Sequence, residues 1–474
     1  MTMIAAPPRF RGEFLTPEDE RYQRFRGVVD RRFDDRPAVI ARCAGTADVQ
    51  AAVQFARHHD LEIAIRGGGH GFHGLSTVDG GIVIDLSLMR DVQLQPDRRV
   101  VRIRPGALGG DVVAETIRFG LAPASGTRAR VGFGGQVIFN GQGYLAPRHG
   151  NACDNVLALE IVLADETVLR VTADEHPDLF WALRGAGDSF GVLTAIEAVA
   201  HPVRAIVHKG LILWEKDRAA EALIALGELD DSLSEDIWWS AVFEADADRS
   251  LRMGVSYTHV GSEATLERDS RLLASIAPAL HGEQEAISYV DLHYGPGFTG
   301  ARTYLTGCQL RSLNRPAAEL LVNLALELAE EPSGSGFPLR SLHLYPHSKG
   351  LGRPANPPNA CGLREGLVLN ARVSYDDPGQ QAGHVAWADS ATSAFVDRGL
   401  TLRGFNGTSL NYVSRLSGTA VAAYYGNDLP RLREIKHRYD PDNVFTRNVA
   451  ITARSADSES DRTNEDLRTR LSKA

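Results

Sequence analysis

A chain of 474 residues is too long for one ordinary core, so two or three domains are expected, and 43% hydrophobic residues supply the apolar material for them. A formal net charge of -9 and a pI near 5.9 argue against nucleic acid or an anionic membrane as the main partner. No apolar run reaches the roughly 18 residues of a membrane span, and residues 1–14 carry prolines and arginines where a signal peptide has its apolar region, so a cytoplasmic protein is expected. Cys43, Cys153, Cys308 and Cys361 are scattered without C-x-x-C spacing, which reads as free thiols rather than a disulfide framework, and no zinc site is visible.

Residues 1–35 are polar and proline-bearing, with a helical stretch over 22–32. A strand over 37–43 follows, and Thr46 is placed to cap a helix to Arg57 whose Val49, Val53 and Ala56 share a face. The strand 61–65 then runs into Arg66-Gly67-Gly68-Gly69-His70-Gly71-Phe72-His73-Gly74. Consecutive glycines reach positive φ without steric cost and can turn several backbone N–H groups toward one anion, so this loop should hold a diphosphate with His70 beside the cofactor. Gly69-x-Gly71-x-x-Gly74 satisfies the dinucleotide fingerprint, but a turn over 76–81 and a strand over 82–86 follow instead of a helix. A P-loop fails too, because no Gly-Lys-Ser/Thr is present there. His70 and His73 do not read as a metal pair, since no further ligands cluster around them.

Next come a strand over 100–103, a helix over 111–119, a glycine-rich stretch over 122–143 and a hairpin of 157–163 with 168–171. Pro177 suits the first turn of a helix to Leu183, and 190–199 is an apolar strand. From about 204 the texture changes. Strands over 238–243, 251–259, 339–344 and 367–375 alternate inward and outward residues, and helices are expected over 221–229, 265–276, 317–328 and 382–396. That pattern implies an α+β unit with a largely antiparallel sheet covered by helices. Loops are read at 333–336 and 352–361, a helix at 429–437 stops at Tyr439-Asp440-Pro441, and the tail past 454 is polar, charge-mixed and frayed.

Three further segments accompany the glycine loop. They are Gly126-Thr127-Arg128-Ala129-Arg130-Val131-Gly132-Phe133-Gly134-Gly135 continuing to Gly141-x-Gly143 and Asp154-Asn155; Asp178 to Gly187 with Phe190-Gly191-Val192; and Tyr439-Asp440-Pro441-Asp442-Asn443-Val444-Phe445. In this order they resemble the FAD-linked oxidases of the berberine-bridge-enzyme-like group, within the vanillyl-alcohol-oxidase superfamily. The likeness is greatest to the bacterial 6-hydroxy-D-nicotine oxidase type and its relatives in natural-product biosynthesis. It covers about 30–200 and 400–451.

The resemblance implies an α+β fold with a two-part FAD-binding domain of the vanillyl-alcohol-oxidase (PCMH) type. Residues 36–203 would form it with a C-terminal return over 401–452, around a substrate domain over 204–400, leaving 1–35 and 453–474 as terminal segments. It implies FAD bonded through its 8α-methyl to His70, which suits a nucleophilic imidazole held at fixed distance by the neighbouring N–H groups. The implied cofactor-binding residues are His70, Arg66, Gly67, Gly68, Gly69, Gly71, Gly74, Gly126, Thr127, Val131, Gly132, Gly135, Asn140, Gly141, Gly143, Val192 and Asn448. Many relatives add a cysteinyl bond where this chain has Arg128, so a single histidyl attachment is expected; Cys153 is too far along to substitute. Val131 reads either as a residue flanking an oxygen-access pocket or as a core valine.

Alcohol-oxidising relatives often carry a tyrosine two residues before the asparagine matched by Asn411, and Ser409 stands there. Tyr412 is adjacent, although strand alternation turns it to the face opposite Asn411. Asn370, Arg372 and Ser374 share one face of a strand, and Arg372 reads either as a binder of an acidic group or as a structural arginine. Ala450 replaces a second asparagine of the relatives. Tyr412, Arg372 and Asn411 are thus the candidate catalytic residues. The expected activity is an FAD-dependent oxidase passing hydride from a cyclic amine, an acidic phenol or enol, or a natural-product intermediate to flavin, and electrons then to oxygen with release of peroxide. The alternatives are a flavin enzyme that oxygenates or cyclises a polyketide-like substrate, and a flavin-binding scaffold without turnover. The expected partners are a small molecule and oxygen; the oligomeric state stays open.

Overall fold

The glycine loop is the link between two strands of a parallel sheet. β1 (Glu13–Leu15), β2 (Val39–Arg42), β3 (Ile63–Arg66) and β4 (Ile82–Asp85) lie in the order β1-β2-β4-β3, with β1 antiparallel to β2 and the other pairs parallel. The computed structural model describes residues 5–245, 251–295, 301–328, 340–346, 355–362, 364–402, 409–449 and 451. The loop at 333–336, the tail past 454 and Ala450 lie outside them. Parallel strands covered on both faces read as unbroken apolar runs, and all of β2 and β4 is buried. Ile82 and Ile84 pack on Val49, Val53 and Ala56 of the helix Thr46–His58, while Val83 packs on Leu15 and Tyr22.

Two local expectations are corrected here. Thr46 is the first helical residue rather than the cap, and its hydroxyl donates to Glu160 Oε1 at 3.0 Å. The carboxylate of Asp48 accepts from the N–H groups of Ala44, Arg11 and Gly12 at 2.8, 2.8 and 2.9 Å, binding the N-terminal segment to the helix start. The helix expected over 22–32 is only Tyr22–Arg26. Beyond it Val29 N–H donates to Gly69 O at 3.0 Å and Arg32 donates to Phe72 O at 2.6 Å, so contacts with the glycine loop override helix propensity.

A second sheet is antiparallel: β5 (Val92–Gln95), β6 (Val100–Ile103), β7 (Leu121–Pro123), β8 (Val156–Val162), β9 (Val168–Thr172) and β10 (Val192–Pro202), ordered β5-β6-β10-β8-β9 with β7 on β10. The end of the chain comes back to it. Val421, Tyr424, Leu432, Ile435 and Val449 share a core with Leu159, Ile161 and Phe180. Lys436, fully buried, donates to Ser189 O and Phe445 O at 2.7 and 3.0 Å and to Asp440 Oδ2 at 2.5 Å, and Asp440 also accepts from the N–H groups of Val444 and Phe445. The stop read at 439–441 is therefore a buried, charge-paired corner.

The third sheet is antiparallel throughout: β11 (Ile206–Leu213), β12 (Ile237–Ala245), β13 (Leu251–His259), β14 (His281–Ser288), β15 (Arg302–Leu310), β16 (Arg340–Pro346) and β17 (Leu367–Tyr375), ordered β14-β11-β13-β12-β16-β17-β15. Its residues alternate between two environments. Trp239, Ala241, Phe243, Leu342, Leu344, Leu369, Ala371 and Val373 form a core with the helices Ala219–Leu229, Arg315–Leu328 and Gln381–Asp397. Their neighbours Trp238, Ser240, His343, Tyr345, Asn370 and Arg372 face a cavity whose other walls are the glycine loops. The four cysteines are buried and free. Among the described residues no helix is long and apolar enough to cross a membrane.

Candidate active site

The cavity measures about 560 Å³, within the usual range for a small-molecule site. Gly67, Gly68, Gly69, His70 and Gly71 line it from the loop after β3, and Gly126, Thr127, Arg128, Val131, Gly132, Gly135 and Gly141 from the second glycine segment. A Cβ on Gly68 would lie 2.5 Å from Gly132 N, and one on Gly132 would lie 2.4 Å from Gly68 N, so the loops meet backbone to backbone and only glycine fits. Gly69 sits at φ +63°. Among the described residues no protein acceptor faces the N–H groups of Gly68, Gly69 or Gly71. Buried N–H groups are normally paired, so this cradle of open donors fits the diphosphate of FAD.

The other cofactor residues expected from sequence lie behind the cavity wall. Arg66 is buried, pairs with Asp85 at 2.8 Å and donates to Phe25 O at 2.6 Å. A Cβ on Gly74 would strike the Phe33 ring, and one on Gly143 would lie 2.0 Å from Ser125 O, so both permit close packing. Asn140 Oδ1 accepts from Asn411 Nδ2 at 2.6 Å while its Nδ2 donates to Ser409 Oγ at 2.7 Å. Val192 belongs to the core with Val162, and Asn448 accepts from Ile451 N–H at 3.1 Å and donates to Phe445 O at 2.7 Å.

Arg372, Asn411 and Tyr412 all reach the cavity. The orientation expected for Tyr412 is corrected: residues Leu410–Tyr412 form a 3₁₀ turn rather than a strand, and Asn411 and Tyr412 line the cavity together. Asn370 Nδ2 donates to Tyr345 Oη at 3.0 Å, and Tyr345 donates to Tyr412, the two rings lying 6.0 Å apart at 64°. Burial raises the Tyr412 pKa; the nearby Arg128 charge and the bond from Tyr345 pull it back. His343, Tyr345, Trp238 and Asp188 are cavity residues not singled out from sequence. The first three sit on the same alternation that marked Asn370 and Arg372, and Asp188 sits inside a glycine motif already read for its glycines.

Burial keeps the cavity imidazoles neutral. It lowers His70, with the Arg128 charge adding to the effect, and pushes His73 down to about 4 and His343 to about 3. Asp188 moves the other way, to about 7, because burial outweighs its bonds from Ser189 Oγ and Val449 N–H and the charge of Lys436. A carboxyl raised in the folded state binds its proton more tightly there than when unfolded, so it lowers stability as pH climbs from the unfolded value near 4 to about 7. Asp188→Asn carries no such proton. The stability of the variant minus that of wild type, read from urea midpoints, should rise by about 1.4 kcal/mol per pH unit across that window and level off above it. A pH-independent difference refutes the assignment.

Comparison with known proteins assigns the class. A family model described as "FAD binding domain" matches residues 37–172, and one described as "Berberine and berberine like" matches 409–452. The protein is an FAD-dependent oxidoreductase. It is 30% identical over 456 residues to (R)-6-hydroxynicotine oxidase of Paenarthrobacter nicotinovorans, covering 94% of this chain and 98% of the relative. Chitooligosaccharide oxidase of Gibberella zeae is 25% identical over 445 residues, 87% of each chain. The crystal structure of 6-hydroxy-D-nicotine oxidase from Arthrobacter nicotinovorans superposes with a TM-score of 0.87 at 29% identity, over 95% of this chain and all of that one. Xylooligosaccharide oxidase from Myceliophthora thermophila, in complex with xylobiose, shares the fold at a TM-score of 0.81 and 21% identity, over 94% and 98% of the two chains. The chain belongs to the berberine-bridge-enzyme-like FAD-linked oxidoreductases.

Proposed function

We propose that the protein is an oxidase in which FAD is held by the two glycine loops and tethered only through His70, and in which a cyclic amine, phenol or natural-product intermediate is dehydrogenated with oxygen as acceptor. The observation that carries it is the neutral imidazole of His70 on the wall of a 560 Å³ cavity, with Arg128 where a second attachment would need cysteine. In this reading residues 36–203 with 401–452 form the flavin unit and 204–400 the substrate unit. The chemistry that bound flavin supplies is hydride acceptance followed by two-electron reduction of oxygen to hydrogen peroxide.

The chain's own groups do the rest. Open N–H groups at Gly68, Gly69 and Gly71 would hold the phosphate oxygens of the cofactor. Trp238, Leu305 and Phe139 cover the cavity with apolar surface and limit water. Tyr412, held by the Tyr345 and Asn370 hydrogen bonds and protonated at neutral pH, can take a hydroxyl proton from substrate once it has itself ionised. A neutral amine has no such proton to give, so Ser409 in place of the tyrosine described above is tolerable for amines. The relative named (R)-6-hydroxynicotine oxidase supports that substrate class.

The test is anaerobic mixing with cyclic amines, phenols and secondary alcohols. An amine or phenol should bleach the flavin band, and air should then restore it with one peroxide per product. Bleaching by none of them, with dithionite still effective, overturns the oxidase reading. A product that gains oxygen or a new ring without matching peroxide favours the oxygenating or cyclising alternative.

A further inference from the structure

Two guanidinium groups enter the cavity from different walls. Arg128 comes from the second glycine segment, and Arg372 comes from β17 of the third sheet. Both act on His343, which lies on the neighbouring strand β16, and Arg128 also acts on His70, Tyr412, His293 and Tyr144. Arg128 is half-buried, and among the described residues its guanidinium has neither a hydrogen bond nor an ion pair. A cation drawn out of water in this way costs free energy unless an anion meets it. The protein offers little to do so. Asp188 lines the cavity, but burial raises it to about 7, so near neutral pH it carries only part of a charge, and its charged neighbour is Lys436.

We propose that the substrate carries an anionic oxygen group, a carboxylate or an acidic phenolate or enolate, and that Arg128 and Arg372 clamp it in the cavity. The proposal rests on the reading of the cavity as a substrate site. Guanidinium is the cation suited to this, since its planar fork meets two oxygens at once and it is weakly hydrated for a charged group. Beside Arg128, Ala129 N–H donates to His293 O at 2.9 Å, just past the short helix Tyr289–Leu292 that follows β14. An anion bound there sits where Arg128 already biases Tyr412, which places the negative end of the substrate near the candidate proton acceptor. The rival source of negative charge is the cofactor diphosphate, which has the open N–H groups of the first loop available to it.

The experiment is calorimetric and spectroscopic titration of the holoprotein with benzoate and salicylate against benzamide and salicylamide. Wild type should bind the acids at least tenfold more tightly than the matched amides. Arg128→Gln and Arg372→Gln should each abolish that preference at unchanged flavin content, with Arg128→Lys recovering part of it. Equal binding of acids and amides by wild type, or no binding of either, overturns the proposal, as does a preference that survives Arg128→Gln. Loss of flavin from Arg128→Gln with the preference intact assigns the charge to the cofactor and also overturns it. If Arg372→Gln does not fold, the two Arg128 variants decide. Calorimetry does not need a flavin signal, so a protein that lacks FAD contradicts the functional reading while the acid preference is still measured.

Discussion

His70→Ala should convert a protein that stays yellow in acid into one whose flavin leaves on precipitation and is diluted away on dialysis. The loop places the imidazole on the cavity wall, and burial together with the Arg128 charge keeps it neutral, the form with a free lone pair for a bond to carbon. Such a tether replaces binding from solution by an effective concentration of the order of millimolar or higher. Wild type should therefore show no response to added FAD, in either activity or melting temperature. In the variant the open N–H cradle remains, so binding persists but becomes an ordinary equilibrium. Its activity should saturate with added FAD, and its stability should climb by about 2.7 kcal/mol at a hundredfold excess over Kd. Circular dichroism equal to that of wild type separates loss of the tether from loss of the fold. A peptide map of wild type should carry the flavin mass on His70; a colourless wild-type pellet sinks the covalent assignment.

Much of this site was legible in the sequence because its residues state their own geometry. The apolar runs at 39–41 and 82–84 mark β2 and β4 as strands, and the strand after the glycine loop rules out the commoner dinucleotide architecture. Alternation on β17 puts Asn370 and Arg372 on one face, and the same argument applied to β16 reaches His343 and Tyr345. Other elements are set by partners far away in sequence. β14 is an exposed edge strand whose stretch His281–Ser288 has no apolar alternation; its only signature is pairing with β11. Gly210 hides β11, yet a Cβ there would strike the Tyr257 ring, so the glycine serves packing rather than a turn. The turn at 410–412 is clamped when Asn411 and Ser409 both bond Asn140, some 270 residues earlier, and no local pattern records that. This is why strand alternation put Tyr412 on the wrong side.

Tyr412→Phe is expected to separate substrates by the proton they must lose. The variant removes one hydroxyl and leaves the ring in place. With a phenol or secondary alcohol the rate of flavin reduction should fall by about 10² to 10⁴, the usual contribution of a positioned acid or base. With a neutral amine it should stay within a few-fold. The pH profile supplies the second arm. Burial raises the Tyr412 pKa, so the phenol is protonated at neutral pH, and a base that must first ionise makes the alcohol rate rise toward alkaline pH; that rise should vanish in Tyr412→Phe. Tyr345→Phe removes the donor that favours the Tyr412 phenolate, so the rise should persist but move to higher pH. A purely structural Tyr412 predicts a different pattern, with amine and phenol rates falling together and a profile that Tyr345→Phe leaves in place. Ser409 does not compete for the role, because its hydroxyl is buried and accepts from Asn140 behind the cavity wall. The candidate proton acceptor of this cavity is thus the Tyr412 hydroxyl, carried on a 3₁₀ turn, with its pKa pulled down from the sheet side by Tyr345 and from the glycine side by Arg128.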